Sequence, residues 1–497
     1  MQNGIAIPAR SAAEAEQDAA WWTALAAIGA LTLYRVILAL FDQTDLSTDE
    51  AQYWFWGQSF SFGAYSKPPL IGWISGFGTW LLGQSVWAMR LPAALFHGAT
   101  AVLILLFAAR IAPAPVAALA ALSYLTTPAV ALGSALMTTD TPLLFAAALA
   151  LLAQERLATA RQAGQGATGW ALLFGFALGL GLLAKHAMLF WLAGSVMAGA
   201  ISPRLRPRAG DAALAATVML AMILPHLLWL ARHDFITLHH VQDITRETGL
   251  SLLRPLSFLL QQAGVIGPVL FMAVLLAARD WRRTAWAAAL TALMLAPLLV
   301  VLAQGVKGPV LANWAILYLV PASVLAAFWL ARHRRLAQLS HGIGLALSLA
   351  LPLVKVFGTD LPGPGGQPLL ARYLGHGPVA HWAIDTAQDV GAGSLIARDR
   401  SLLADLSWFG AESHLAFRAL PPQGRPAHHW EATAPFAPAT DPLPALLLWS
   451  EGMSPPCPDA VEISRFEAPP GAYGGRSFVM LRLDRPECLA PKETAHD

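Results

Sequence analysis

The chain has 497 residues, of which 56% are hydrophobic and only 12% charged, and its formal net charge is +2. This composition excludes a soluble fold and reads as a polytopic membrane protein, while so small a net charge without a long basic run excludes nucleic acid as a partner. Only five of the 32 basic residues are lysines (Lys67, Lys185, Lys307, Lys355 and Lys492), so arginine is the default base and each lysine stands out.

Residues 1–19 are polar, with Arg10, Glu14, Glu16 and Asp18, and read as a cytoplasmic N-terminal tail. The apolar run at 20–41 is long enough to cross a bilayer and resembles an uncleaved signal anchor. A long polar interruption follows at 45–73, DLSTDEAQYWFWGQSFSFGAYSKPPLIGW, within a first outer loop over 42–88. The apolar stretch from Pro68 to Leu82 is broken by glycines and reads as interfacial or re-entrant. Further spans are predicted at 89–110, 114–133, 141–157, 169–184, 186–202, 212–231, 257–278, 285–303, 310–330 and 338–357. With the first run they make about eleven transmembrane helices, each about twenty residues for roughly 30 Å of hydrocarbon.

With the N-terminus inside, twelve arginines fall in short cytoplasmic loops: Arg110, Arg156, Arg161, Arg204, Arg206, Arg208, Arg279, Arg282, Arg283, Arg332, Arg334 and Arg335. The opposite side has longer loops and fewer bases: Lys67, Arg90, Lys185, Arg232, Arg246, Arg254 and Lys307. That asymmetry fixes the orientation, and an odd number of spans exports the tail, 358–497. The tail is richer in Pro, Gly, His and Asp, with strand-like runs at 445–449 and 477–483 and a helical stretch at 402–409, and reads as a small extracytoplasmic α/β domain. Cys457 and Cys488 lie there, either bridged or free and buried.

Ionisable groups beside hydrocarbon are costly to keep and mark sites. On the outer side lie Asp49 and Glu50, Lys67, Asp140 in MTTDTPLL, Lys185 and His186 in LLAKHAML, and Lys307 with Asn313 before the tenth span. Carboxylates and ammonium groups together can bind a charged headgroup and do acid or base chemistry on it. Each also has a plainer reading. Asp49 and Glu50 fit the first turn of an interfacial helix capped by Ser47 or Thr48. Lys67, held extended by Pro68 and Pro69, can snorkel to headgroups, a choice that Lys185 shares. Asp140 before Thr141 and Pro142 fits a helix cap. His226, His233, His239 and His240 match no zinc spacing and read as packing or surface residues.

DEAQYWFWGQ at 49–58, YSKPPLIGW at 65–73, TTDTPLLF at 138–145, GLGLLAKHAMLF at 179–190 and LANWAILYL at 311–319 are ordered anchors over most of 20–330. Through them the chain resembles the bacterial membrane glycosyltransferases of family 39 and protein O-mannosyltransferase type. That group has the GT-C fold and includes relatives of the lipid A aminoarabinose transferase. The resemblance implies a GT-C transmembrane catalytic domain over 20–357. It also implies a polyprenyl-phosphate sugar donor and transfer outside the cytoplasm, with inversion, to a lipid, glycan or protein acceptor. Asp49 would be the general base, with Glu50 and Asp140 beside it in the catalytic set. Lys67 and Lys185 would hold the departing phosphate, with Tyr65, His186, Lys307 and Asn313 completing the substrate site. Ser66 stands where the aminoarabinose branch has an acid before the lysine, which bears against that sugar and against a metal held by such an acid. A divalent metal requirement is otherwise left open.

A competing reading is a transporter or flippase for a lipid-linked sugar. It calls for broken helices in paired positions along a pathway, and neither internal repeats nor inverted symmetry is visible. A sensor with a membrane anchor would not need so many spans.

Overall fold

The computed structural model describes residues 12–489. The expected N-terminal tail lies outside the described residues over its first eleven positions, and from Ala12 the chain is helical. Two compact units share the described chain: residues 12–37, 93–225 and 245–351 form one, and 38–92, 226–244 and 352–489 the other.

Among the described residues, six helices are long and apolar enough to cross a membrane: Glu14–Ala39, Val86–Ile111, Asp140–Gln162, Ala209–Arg232, Ala285–Lys307 and Arg334–Phe357. The run predicted as one span over 257–278 is two helices, Leu253–Ile266 and Pro268–Ala278, bent by 112°. Gly267 makes that corner with φ +90°, a conformation open to glycine and costly for other residues. Four other predicted spans are shorter helices: Ala114–Leu125, Thr168–Ala184, Met188–Ile201 and Ile316–Leu330. At 1.5 Å per residue the shortest extends only about 18 Å. Thr127 ends the first of these runs by capping a new turn at Pro128–Gly133. Apolar composition marks such segments, but these helices stop at Thr126, Lys185, Ser202 and Ala331.

The first unit packs through small residues. A Cβ on Gly194 of Met188–Ile201 would lie 2.9 Å from Leu293 Cα, so the Ala285–Lys307 helix comes close only because that side chain is absent. Arg35, buried in an apolar helix, donates to Leu125 O at 2.9 Å, Ser134 Oγ at 3.0 Å and Ser348 Oγ at 3.2 Å. Those bonds meet the demand of its two terminal nitrogens and tie segments of this unit together, while Nε is buried without a partner among the described residues.

In the second unit the first outer loop and the C-terminal segment form one body. Its sheet has strands β1 (Ser394–Ala397), β2 (Ala416–Ala419), β3 (Ala445–Ser450), β4 (Val461–Glu467) and β5 (Ser477–Leu483), in the order β2-β1-β3-β5-β4. β1 runs parallel to β2 and β3, and β5 antiparallel to β3 and β4. Side chains alternate between two cores, as the two-residue period of a strand requires. Leu395, Ala397, Leu446, Leu448, Phe478 and Met480 face a core shared with helix Arg400–Phe409 and with Leu46, Ala51 and Trp54 of the outer loop. Ile396, Leu447, Trp449, Val479 and Leu481 face the other, where Cys457 is bonded to Cys488. The central strands β1, β3 and β5 are thus buried on both faces, and the outer loop supplies part of one cover.

The loop's own helices, Thr48–Trp56 and Leu70–Leu82, cross at Gly57, Gly72 and Gly76, where neither Gly57 nor Gly76 has room for a Cβ. The glycines expected to break the 68–82 stretch leave it helical and allow this contact.

One buried pair fixes the C-terminal segment to the loop. His376 donates its backbone N–H to Asp45 Oδ2 at 2.9 Å. Its ring nitrogens meet Asp405 Oδ2 at 2.8 Å and Arg372 O at 3.1 Å, both acceptors, so the ring is doubly protonated. Tyr473 O–H also donates to Asp405, at 2.5 Å. Burial works against the charged ring, but the bond and charge of Asp405 prevail and raise His376 to about 9. A histidine raised on folding stabilises fully below its unfolded value near 6.5 and loses that contribution as pH climbs through 9. We expect the melting temperature of the purified protein to fall between pH 6.5 and 9, by the equivalent of about 3 kcal/mol at most. His376→Gln should flatten that slope; an unchanged slope in the variant would show that other groups cause it.

Candidate active site

The site residues expected from sequence fall into two groups, one in each unit. In the second unit, Ser47 caps Thr48–Trp56 and forms a capping box with Glu50. Glu50 is 1% exposed and spends both oxygens. Oε1 accepts from Arg90 Nε at 2.9 Å, and Oε2 accepts from Arg90 Nη2 at 2.9 Å and Ser47 N at 3.0 Å. Burial would raise its carboxyl, but Arg90 overrides that, with help from Lys355 and Ser47 N–H, and holds it down at about 2. Arg90 Nη1 also donates to Asp42 Oδ2 at 2.8 Å, and Lys355 Nζ lies 2.6 Å from the same oxygen. Two acids and two bases form a neutral buried network. Glu50, expected in the catalytic set, therefore has the geometry of a structural anchor, because no lone pair of its carboxylate faces an open site.

Asp49, one residue earlier, points away from that network and is 48% exposed. Its Oδ1 accepts from Arg400 Nη1 at 2.9 Å, and the same nitrogen donates to Gln52 Oε1 at 3.0 Å. Arg400 opens the Arg400–Phe409 helix, which packs on the loop through Ala51 and Trp54. Lys67 is half-buried at the end of a tight loop closed by Ala64 N–H to Lys67 O at 3.1 Å. His240 reports the charge around this group. Burial lowers its affinity for a proton, Lys67 and Arg400 lower it further, and Asp243 and Asp49 oppose them. Asp49, Lys67, Arg400, His240 and Asp243 thus act on one region within this unit.

Tyr65, expected to bind substrate, is 7% exposed; its hydroxyl donates to Pro426 O at 2.8 Å and its ring lies 5.2 Å from His240. It ties the loop to the C-terminal segment. Two more histidines of the cluster are bonded or stacked: His226 Nδ1 meets Phe62 O at 2.7 Å, and His233 stacks on Trp229 at 4.0 Å. Among the described residues no group of three or more His, Cys, Asp or Glu is arranged to hold a metal ion.

In the first unit, Asp140, Lys185 and Asn313 meet. Lys185 sits in extended backbone in the break after Thr168–Ala184. Its Nζ lies 2.6 Å from Asp140 Oδ1, while Asn313 Nδ2 donates to Asp140 Oδ2 at 2.8 Å. Thr139, without a side-chain bond, occupies the cap position, so the Asp140 carboxylate serves this cluster rather than the helix end. His186 follows Lys185 and is half-buried. Lys307 stands apart, in an ion pair with Glu247 at 3.2 Å in which both side chains are more than half exposed; such pairs contribute little.

Sequence reasoning missed Arg400 and the Asp42–Arg90–Lys355 network. Arg400 lies 351 positions from Asp49 and is one of several tail arginines. The signal available for Lys355 was its rarity as a lysine.

Comparison with known proteins bears on what these groups serve. Residues 66–229 match the family described as dolichyl-phosphate-mannose-protein mannosyltransferase. The chain is 33% identical over 471 residues to the lipid A galacturonosyltransferase RgtD of Rhizobium johnstonii, covering 93% of this chain and 97% of that protein. It is 29% identical over 247 residues to the lipopolysaccharide core galacturonosyltransferase RgtB of the same organism, 48% of each chain. Its fold is similar to that of ArnT from Cupriavidus metallidurans bound to undecaprenyl phosphate, with a TM-score of 0.64 at 15% identity over 92% of this chain and 97% of that one. The apo form of ArnT gives 0.63 at 16% identity over 93% and 97%. The chain is therefore a membrane glycosyltransferase of GT-C type and belongs to the family that includes the Rhizobium johnstonii lipid A galacturonosyltransferase, with the fold of ArnT.

Proposed function

We propose that this enzyme transfers a uronic acid sugar, galacturonic acid in the first instance, from a polyprenyl-phosphate donor to a lipid A type glycolipid. The observation that carries the reading is the 33% identity that extends across 97% of a lipid A galacturonosyltransferase. Transfer takes place on the outer face of the inner membrane, with the N-terminus cytoplasmic, about eleven membrane-crossing segments and the C-terminal α/β domain exported. The Cys457–Cys488 disulfide supports that placement, since such bonds persist in oxidising compartments.

In the reaction, the acceptor hydroxyl oxygen attacks the anomeric carbon and gives its proton to Asp49. The bond from that carbon to the phosphate oxygen breaks, its electron pair leaves on the polyprenyl phosphate, and the anomeric configuration inverts. Lys67 offsets the charge growing on the departing phosphate, a stabilisation worth roughly 3 kcal/mol for one well-placed donor. Lys185 carries the same proposal from the family likeness.

The test compares membrane glycolipids of cells with and without the protein by mass spectrometry, and then transfer by purified protein in detergent. Loss of a hexuronic acid increment from lipid A, restored in vitro from polyprenyl-phosphate galacturonic acid, is the expected result. Loss of a neutral hexose or an aminopentose instead would replace the sugar. An unchanged glycolipid profile with no transfer in vitro would remove the function.

A further inference from the structure

The guanidinium of Arg400 is engaged along one edge only. Both contacts, to Asp49 Oδ1 and Gln52 Oε1, are made by Nη1. The Nε–H and the two Nη2–H donors have no partner among the described residues, and the side chain is 41% exposed. Nε and Nη2 form the side of the fork whose parallel N–H bonds match the two oxygens of a carboxylate. The engaged edge holds the fork still. Nη1 is fixed between two side chains of one helix, Thr48–Trp56, whose start is locked by the Ser47–Glu50 capping box. Less orientational freedom then remains to be lost on binding a ligand at the open edge. Lys67 is a second cation of the same neighbourhood, in which Asp49 and Asp243 are the opposing charges.

We propose that Arg400 reads the carboxylate of the transferred sugar, its Nε–Nη2 edge binding both carboxylate oxygens while Nη1 keeps hold of Asp49. This rests on the uronic acid transfer proposed above. It places the C5 substituent of the sugar beside the residue that takes the acceptor proton. A neutral hexose offers a single hydroxyl at that position, and an aminopentose offers no carboxylate and a positive charge that Lys67 and Arg400 repel. Discrimination arises because the guanidinium edge goes unmatched with either alternative.

The test uses the full-length protein in detergent with lipid A as acceptor and two synthetic donors, polyprenyl-phosphate galacturonic acid and polyprenyl-phosphate galactose, under single-turnover conditions. Arg400→Gln should lower kcat/KM for the galacturonosyl donor on the order of 30-fold more than for the galactosyl donor, the size expected for losing a charge-assisted bidentate contact. The ratio between donors does not depend on how much of the variant is folded. A variant too inactive to assay is replaced by Arg400→Lys, which keeps the charge and loses the fork, and the same ratio should fall by a smaller factor. An equal loss on both donors would mean that Arg400 only positions Asp49 and would overturn the subsite. So would an unchanged galacturonosyl rate. If wild-type protein transfers no uronic acid, the function and the subsite both fail; if it does and the donor ratio is unaltered in the variants, the subsite alone fails.

Discussion

Asp49→Asn should lower the rate of sugar transfer by about 10²- to 10⁴-fold, the range that a positioned general base contributes. The substitution keeps the size and polarity of the side chain, and the amide oxygen can still accept from Arg400, so the contact between the loop and the Arg400–Phe409 helix has a substitute. Loss of rate with an unchanged melting temperature and little change in KM for the donor would identify a group used in the transition state. Glu50→Gln is the matched control. Glu50 lies one residue along the same helix and is sealed behind Arg90, so its replacement should lower thermal stability while the folded fraction still transfers sugar. Wild-type kcat in Asp49→Asn would remove Asp49 as the base. It would favour an acceptor such as a phosphate, which needs no proton taken.

Arg90→Met should be the most destabilising single change in the second unit. Arg90 makes five side-chain bonds: two to Glu50, one each to Asp42 and the Thr44 hydroxyl, and one to Asp45 O. Its removal leaves Glu50 and Asp42 buried, with Lys355 as the remaining base beside Asp42. Breaking one partner out of a buried ion network costs about 3–5 kcal/mol, or about 10 °C in melting temperature for a unit of this size. Thermal unfolding in detergent at pH 7 checks it. A shift below about 2 °C would show that water or a repacked Lys355 compensates. Activity should fall with the folded fraction and with nothing beyond it, because no atom of Arg90 reaches an open site.

These two expectations separate neighbours that look alike in the sequence. Asp49 and Glu50 are adjacent carboxylates at the start of a short helix, and both were expected in the catalytic set. At about 100° per residue, successive side chains leave the helix in different directions, so one meets Arg90 and the other meets Arg400. Which direction is buried depends on what covers the helix, and the cover comes from chain more than three hundred residues away. The same reason explains Tyr65, whose partner is the carbonyl of Pro426. Asp140 and Lys185 were legible as candidates because each is a lone charge in an apolar region, and the structure joins them to each other and to Asn313.

What the sequence determined by itself was set by local chemistry. Apolar runs made the helices, short apolar runs made the C-terminal strands, and charged residues between apolar spans marked where a site could be. The ordered motifs of 49–58, 65–73, 138–145, 179–190 and 311–319 carried the likeness to GT-C glycosyltransferases, since each joins a charge or turn residue to an apolar helix start. Tertiary structure decided how long several helices are and that the outer loop folds with the C-terminal segment. It also decided which carboxylate is spent on the core and which arginine stands beside the other. Those outcomes depend on pairings between distant segments, and burial sorts neighbouring carboxylates into buried anchors and exposed groups only once both partners are in place.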